Sequence, residues 1–282
     1  GAFLFGSFIY PVAIGTFQGL KKFNYYGINL IISSGIKLII SIILVYLGFR
    51  VYGAIFAFII SIIIPFLIAI PTIKKITGKN KSKEKINIFT EDSLYTFFAI
   101  LLIVLIYSSD VIFARIFFDP KIVGIYAVIS MIGKIILFAS MAVGNAMFPI
   151  TSEKFNLGNK TREVFKKALI VTLLICGISI IIFGLFPEFI IKLFFGNQYV
   201  QLTEILIYIS TAFSFISLLN LLVLYRISQD IFKIKHIIIL LILFFLEIFS
   251  FIYFKNNILD FSKGFRFSTI IMFIVALLLI RK

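Results

Sequence analysis

The chain is cut into continuous apolar blocks, each about the 20 residues a helix needs to cross a bilayer, and Lys and Arg fall almost entirely in every second gap between them. In hydrocarbon no water is available to backbone amides and carbonyls, so a spanning segment is either a helix or part of a closed barrel. A barrel strand alternates apolar and polar residues. These blocks do not, and the pattern predicts a polytopic all-α bundle. Nine spans are placed at 1–16, 27–49, 51–73, 92–118, 122–150, 168–195, 202–225, 236–254 and 265–280.

Hydrophobic residues make up 61% of the chain and charged ones 14%, whereas a soluble domain averages about 45–50% and about 25%. The net charge of +15 does not indicate a nucleic-acid partner, because the basic residues are spread over inter-span gaps rather than gathered on one face. A single Cys176 inside an apolar run offers neither an internal disulfide nor a thiolate metal site. The lone His236 opens a block beside Lys235, which fits an interfacial position better than catalysis or metal binding. No Gly-rich phosphate loop ending in Gly-Lys-Ser/Thr occurs. No cofactor, metal or enzymatic activity is expected. Residue 1 is not Met and lies inside an apolar run, so the chain is expected to begin within a longer protein.

One set of gaps holds eighteen basic residues, from Lys21 and Lys22 through the Lys74–Lys85 cluster, Lys154–Lys167 and Arg226–Lys235 to Arg281 and Lys282. The alternate set holds six: Arg50, Lys121, Lys192, Lys255, Lys263 and Arg266. Basic loops stay in the cytoplasm, which predicts a multi-pass protein of the cytoplasmic membrane with its C-terminus inside. The polar stretch 74–91 reads as a linker with three spans before it and six after. Carriers are often built from paired repeats of equal helix number. The division expected is therefore 1–88, a first lobe lacking three helices, and 89–282, a complete six-helix lobe.

Five charges interrupt the blocks: Lys37, Asp110, Arg115, Lys134 and Glu247. At a helix centre Lys, Arg or Asp costs roughly 2.5–3.5 kcal/mol on the insertion scale, less where the side chain snorkels. Lys37 and Lys134 are near mid-span by count. Each either lines a basic cavity for an anionic substrate or serves only to snorkel or to pair with a carboxylate. Ser33, Ser34 and Gly35 beside Lys37 suggest a wet face. Asp110 follows Tyr107, Ser108 and Ser109, and is read as a partner for Lys134 or Lys37, or as a group that titrates in cation coupling. Arg115 is close enough to the span end to snorkel. Glu247 is protonated, paired elsewhere or turned to a cavity. Pro65 and Pro71 are expected to interrupt the third span, Pro149 to end the fifth, and Pro187 to fall near the end of the sixth. Gly133 and Gly144 permit close helix approach in the fifth.

With the spans placed, the sequence resembles the polysaccharide-biosynthesis flippases of the multidrug/oligosaccharidyl-lipid/polysaccharide exporter superfamily. The likeness is carried by GTFQGLKKFNYYG at 15–27, KLIISIILVYLGFRVYGAIFAFIIS at 37–61 and SSDVIFARIFFDPKIVGIYAVISMIGKI at 108–135. MFPITSEKFNLGN at 147–159 and LFFGNQYV at 193–200 extend it. The resemblance implies a two-lobed exporter fold in which 1–88 correspond to helices four to six and 89–282 to helices seven to twelve. It implies translocation of a polyprenyl-diphosphate-linked oligosaccharide, the diphosphate meeting Lys37, Lys134 and Arg115. Ion coupling through Asp110 or Glu247, contact with membrane lipids, and a glycan polymerase or ligase as partner are further expectations. The competing expectations are a cation-coupled multidrug antiporter of the same superfamily, and a non-transporting fragment or partner of glycan-assembly enzymes. Three in-span bases against two acids tilt the reading toward an anionic cargo.

Overall fold

In the computed structural model the backbone is described for residues 2–77 and 90–280, with side chains for 8–76 and 90–277. The expected 74–91 linker lies mostly outside the described residues. Among them, nine helices have eighteen or more residues, and one short helix accompanies them. Five of the nine, together with the 54-residue stretch Phe23–Ile76 that contains two more, are long and apolar enough to cross a membrane. The chain is an all-α polytopic membrane protein, and it divides into two compact units, Gly1–Ile86 and Asn87–Lys282.

The first unit contains α1 (Ala2–Gly19), α2 (Phe23–Leu44) and α3 (Arg50–Thr77). The chain reverses between α2 and α3 where Gly48 takes φ 90° and Arg50 φ 46°. The helices then lie so close that a Cβ on Gly53 would come 2.9 Å from that of Leu44. Buried Ala13 and Ala69 do the same work between α1 and α3, with Phe17 packed beside them.

Pro65 and Pro71 lie inside α3, which continues through both. Pro65 has no N–H to give the Ser61 carbonyl four residues earlier. The Ser33 hydroxyl of α2 fills that vacancy, donating to Ser61 O at 2.7 Å. The buried Asn29 amide donates to Pro65 O at 3.0 Å and accepts from Tyr10 at 2.9 Å, which ties all three helices together. Ser33 is thus a repair for α3 rather than the cavity lining expected of it.

The second unit contains α4 (Glu91–Phe117), α5 (Pro120–Asn156), α6 (Arg162–Leu185), α7 (Pro187–Phe195), α8 (Ile205–Ile227), α9 (Ile234–Tyr253) and α10 (Ile258–Ile280). At its centre α8 is buried almost from end to end, packed by α5, α6 and α10. Gly133 lets α5 approach it: a Cβ there would fall 2.7 Å from Ile209 and from Phe213.

Two expected boundaries are corrected. Pro149 does not end α5, which runs 37 residues, about 55 Å at 1.5 Å per residue and longer than the apolar layer of about 30 Å. The single span expected at 168–195 is α6 followed by α7. Phe186, restricted by the proline after it, leaves helical geometry at φ −126°, ψ 44°, and Pro187 opens α7. The last helix begins at Ile258, seven residues before the expected 265, so Lys263 is helical.

Candidate functional site

Residues four apart on a helix share a face, and α5 presents Tyr126, Ser130 and Lys134 in such a stripe. Opposite them on α4 is Asp110, fully buried. Its Oδ1 accepts from Lys134 Nζ at 3.1 Å, and its Oδ2 accepts from the Ser130 hydroxyl. The Lys134 ammonium also lies 5.4 Å from the ring centroid of Phe213 on α8, within cation–π reach. Little of it is exposed; its side chain has 17% of its surface free.

Glu247 on α9 is fully buried in the same region, with Asp110 and Ser109 as its interacting neighbours. Neither of its carboxyl oxygens has a hydrogen-bond partner among the described residues. The adjacent Ser109 hydroxyl is committed to Ile106 O at 2.9 Å. The Tyr126 hydroxyl, buried and within electrostatic reach of both carboxyl groups, also has no hydrogen-bond partner among the described residues. Three helices therefore bring two carboxyl groups, one ammonium and the hydroxyls of Ser109, Tyr126 and Ser130 into one buried cluster. Each buried ion costs several kcal/mol in lost hydration, repaid only by good partners. Asp110 and Lys134 supply that to each other. Glu247 has no comparable partner.

The sequence-selected charges part company here. Asp110 meets Lys134, not Lys37, and Glu247 lies next to them. Lys37 belongs to the first unit, where it is exposed and its ammonium lies 5.0 Å over the Phe58 ring. Ser34 and Gly35 line an open apolar depression on the same helix with Leu30 and Leu38. Arg115 is exposed in the last turn of α4, outside the cluster. Sequence reasoning missed Tyr126 and Ser130, although their spacing of four from one another and from Ser130 to Lys134 was legible. It also placed Lys263 between spans and Arg266 at the very start of the last one. The structure sets the Arg266 guanidinium 4.6 Å and the Lys263 ammonium 6.0 Å over the Tyr208 ring of α8. No metal-binding group of three or more His, Cys, Asp or Glu occurs among the described residues.

Residues 2–155 match the family described as "Polysaccharide biosynthesis protein". Similar solved structures include a MATE in complex with MaL6, at TM-score 0.78 and 17% identity, covering 99% of this chain and 68% of that one. A MATE in the straight conformation gives TM-score 0.75 at 16% identity, covering 99% and 67%. A MOP superfamily transporter from Pyrococcus furiosus gives 0.74 at 17%, again covering 99% and 67%; its binding pocket is described as of reverse polarity, suggesting a different function. No curated protein matches the sequence. The fold is that of a MATE-like two-lobed exporter, and the chain spans about two thirds of the length of those structures. The chain belongs to the polysaccharide biosynthesis protein family.

Proposed function

We propose that this membrane protein is a cation-coupled carrier of the MOP superfamily whose cargo is a polyprenyl-diphosphate-linked oligosaccharide. The observation that carries the coupling is the cluster of Asp110, Lys134 and Glu247, in which one ammonium faces two buried carboxyl groups. A buried site tolerates an unbalanced charge poorly, and a proton or monovalent cation at Glu247 or Asp110 makes up the difference. Loading Asp110 weakens its hold on Lys134, which then becomes available to an anion. Ion occupancy and cargo binding are thereby linked through one lysine.

The glycan-lipid cargo is supported by the family match over 2–155 and by the three in-span bases. Lys134, Lys37 and Arg115 are its proposed diphosphate contacts, and lipid and a glycan polymerase or ligase its proposed partners. A second reading, antiport of a cationic drug, has the broader support from fold likeness, since the MATE structures share this architecture. In that reading Glu247 binds the cargo.

Reconstituted vesicles separate the two. Movement of a lipid-linked oligosaccharide between leaflets and efflux of a cationic dye are measured with and without proton and sodium gradients. Oligosaccharide movement that responds to a gradient, and loses that response in Glu247→Gln, is expected. Dye efflux without oligosaccharide movement transfers the assignment to the second reading, and absence of both leaves a non-transporting role in glycan assembly. Movement indifferent to gradients and to Glu247→Gln sinks the coupling.

A further inference from the structure

The Lys and Arg bias leaves six basic residues for the outer side, and two of them meet on one ring. The Tyr208 ring has the Arg266 guanidinium 4.6 Å from its centroid and the Lys263 ammonium 6.0 Å from it. Tyr208 lies in the first turn of α8. Lys263 and Arg266 are three residues apart on α10, so they share a side of that helix. Neither base takes part in the Asp110 cluster.

Arg266 lies about 12 Å along α10 from Ile258 at 1.5 Å per residue. It is half-buried, and among the described residues it pairs with no carboxylate and its guanidinium donates no hydrogen bond. Glu204, one turn before Tyr208, is exposed and pairs with neither base. Lys263 has Asp260 at 3.6 Å, with 42% and 37% of the two side-chain surfaces free. So exposed a pair is weak and opens readily, and Asp260 already accepts from the Asn257 amide at 2.8 Å. An arginine set among apolar residues carries a desolvation cost, which makes its missing partner informative. Tyr208 meets part of the need, because the face of an aromatic ring attracts a cation. That contact uses the charge and not the N–H donors, which lie in the plane of the guanidinium. A forked set of charged donors matches the oxygens of a phosphate. Basic residues are kept away from this side of a membrane protein, so topology does not account for two of them on one ring.

We propose that Arg266 and Lys263, seated on Tyr208, form a phosphate-binding site at this end of the seven-helix unit. Two sources offer a phosphate group there: the diphosphate of the cargo proposed above, and the head group of an anionic phospholipid. The site does not rest on that cargo, and its test separates the two.

The chain contains no Trp, so Tyr208→Trp places a single fluorescent reporter at the site and keeps an aromatic face for Arg266. Emission of this full-length variant in detergent is titrated with farnesyl diphosphate, farnesol, dioleoylphosphatidylglycerol and dioleoylglycerol, with sodium chloride as the control for ionic strength. A saturable change with a phosphate-bearing probe, and none with its phosphate-free counterpart, is expected. Adding Arg266→Gln should weaken that response at least tenfold, and Arg266→Lys should fall between, since it restores the charge without the fork. Displacement of phosphatidylglycerol by the diphosphate gives the site to the cargo. A phosphatidylglycerol response that survives the diphosphate gives it to a lipid head group, and the phosphate site stands in either case. An unchanged response in Arg266→Gln overturns the proposal and leaves two bases that only snorkel. No response to either phosphate-bearing probe overturns it, as does an equal response to farnesol or to sodium chloride. If Tyr208→Trp does not fold, native mass spectrometry compares retention of the two phosphate-bearing probes by the parent chain and by Arg266→Gln, and equal retention overturns the proposal.

Discussion

Asp110 and Glu247 are both buried acids in one cluster, yet their surroundings give them different expected behaviour. Asp110 has the Lys134 ammonium and the Ser130 hydroxyl. Removing one member of such a buried pair strands the other, at a cost of about 3–5 kcal/mol. Asp110→Ala and Lys134→Met should each lower thermal stability markedly in detergent, and the double variant should recover much of the loss. Additive losses in that cycle would show that the two do not act as a pair. Glu247 has no hydrogen-bond partner to lose among the described residues. Glu247→Gln should therefore leave the unfolding temperature near or above that of the parent while removing the gradient response. A stability loss as large as that of Asp110→Ala would make Glu247 a structural residue instead. The depth of Asp110, Lys134 and Glu247 in apolar runs was legible in the sequence. Which base meets which acid was not, because Lys37 and Lys134 look alike by depth and flanks.

At the scale of the helix, prolines show how far a local rule reaches. Pro187, by restricting Phe186, ends α6 and opens α7, whereas Pro65 leaves α3 intact. Around Pro65 the neighbouring helix meets the exposed carbonyls, Ser33 taking that of Ser61 and Asn29 that of Pro65. Ser33→Ala should cost about 1–2 kcal/mol by leaving a carbonyl unpaired in an apolar setting. In a Pro65→Ala background, where residue 65 supplies its own N–H, the same substitution should cost clearly less. Equal costs in the two backgrounds, read from unfolding temperature, would detach Ser33 from the proline. Sequence identified the prolines and a nearby serine pair, but read the serines as facing a cavity. Only the neighbouring helix tells that Ser33 reaches the Ser61 carbonyl.

For the whole molecule, the uneven distribution of Lys and Arg sets a topology that a labelling experiment checks. Asn159 lies exposed between α5 and α6, and Asn256 exposed between α9 and α10. With the buried Cys176 first replaced by Ala, Asn159→Cys should react with an impermeant maleimide only after the cells are opened. Asn256→Cys should react in intact cells. The reverse pattern would invert the positive-inside assignment, and labelling of both in intact cells would contradict the number of crossings between them.

Taken by itself the sequence determined the class of the molecule. Apolar runs of this length force helices, because lipid offers no other partner for the backbone, and the five interrupting charges stood out against them. Tertiary structure decided what depends on neighbours from other helices: the contacts that meet the carbonyls around Pro65 in α3 and the pairing of Asp110 with Lys134. Those outcomes turn on distances of a few ångströms between residues tens of positions apart. Hydropathy is a property of one helix at a time and carries no record of what stands beside it.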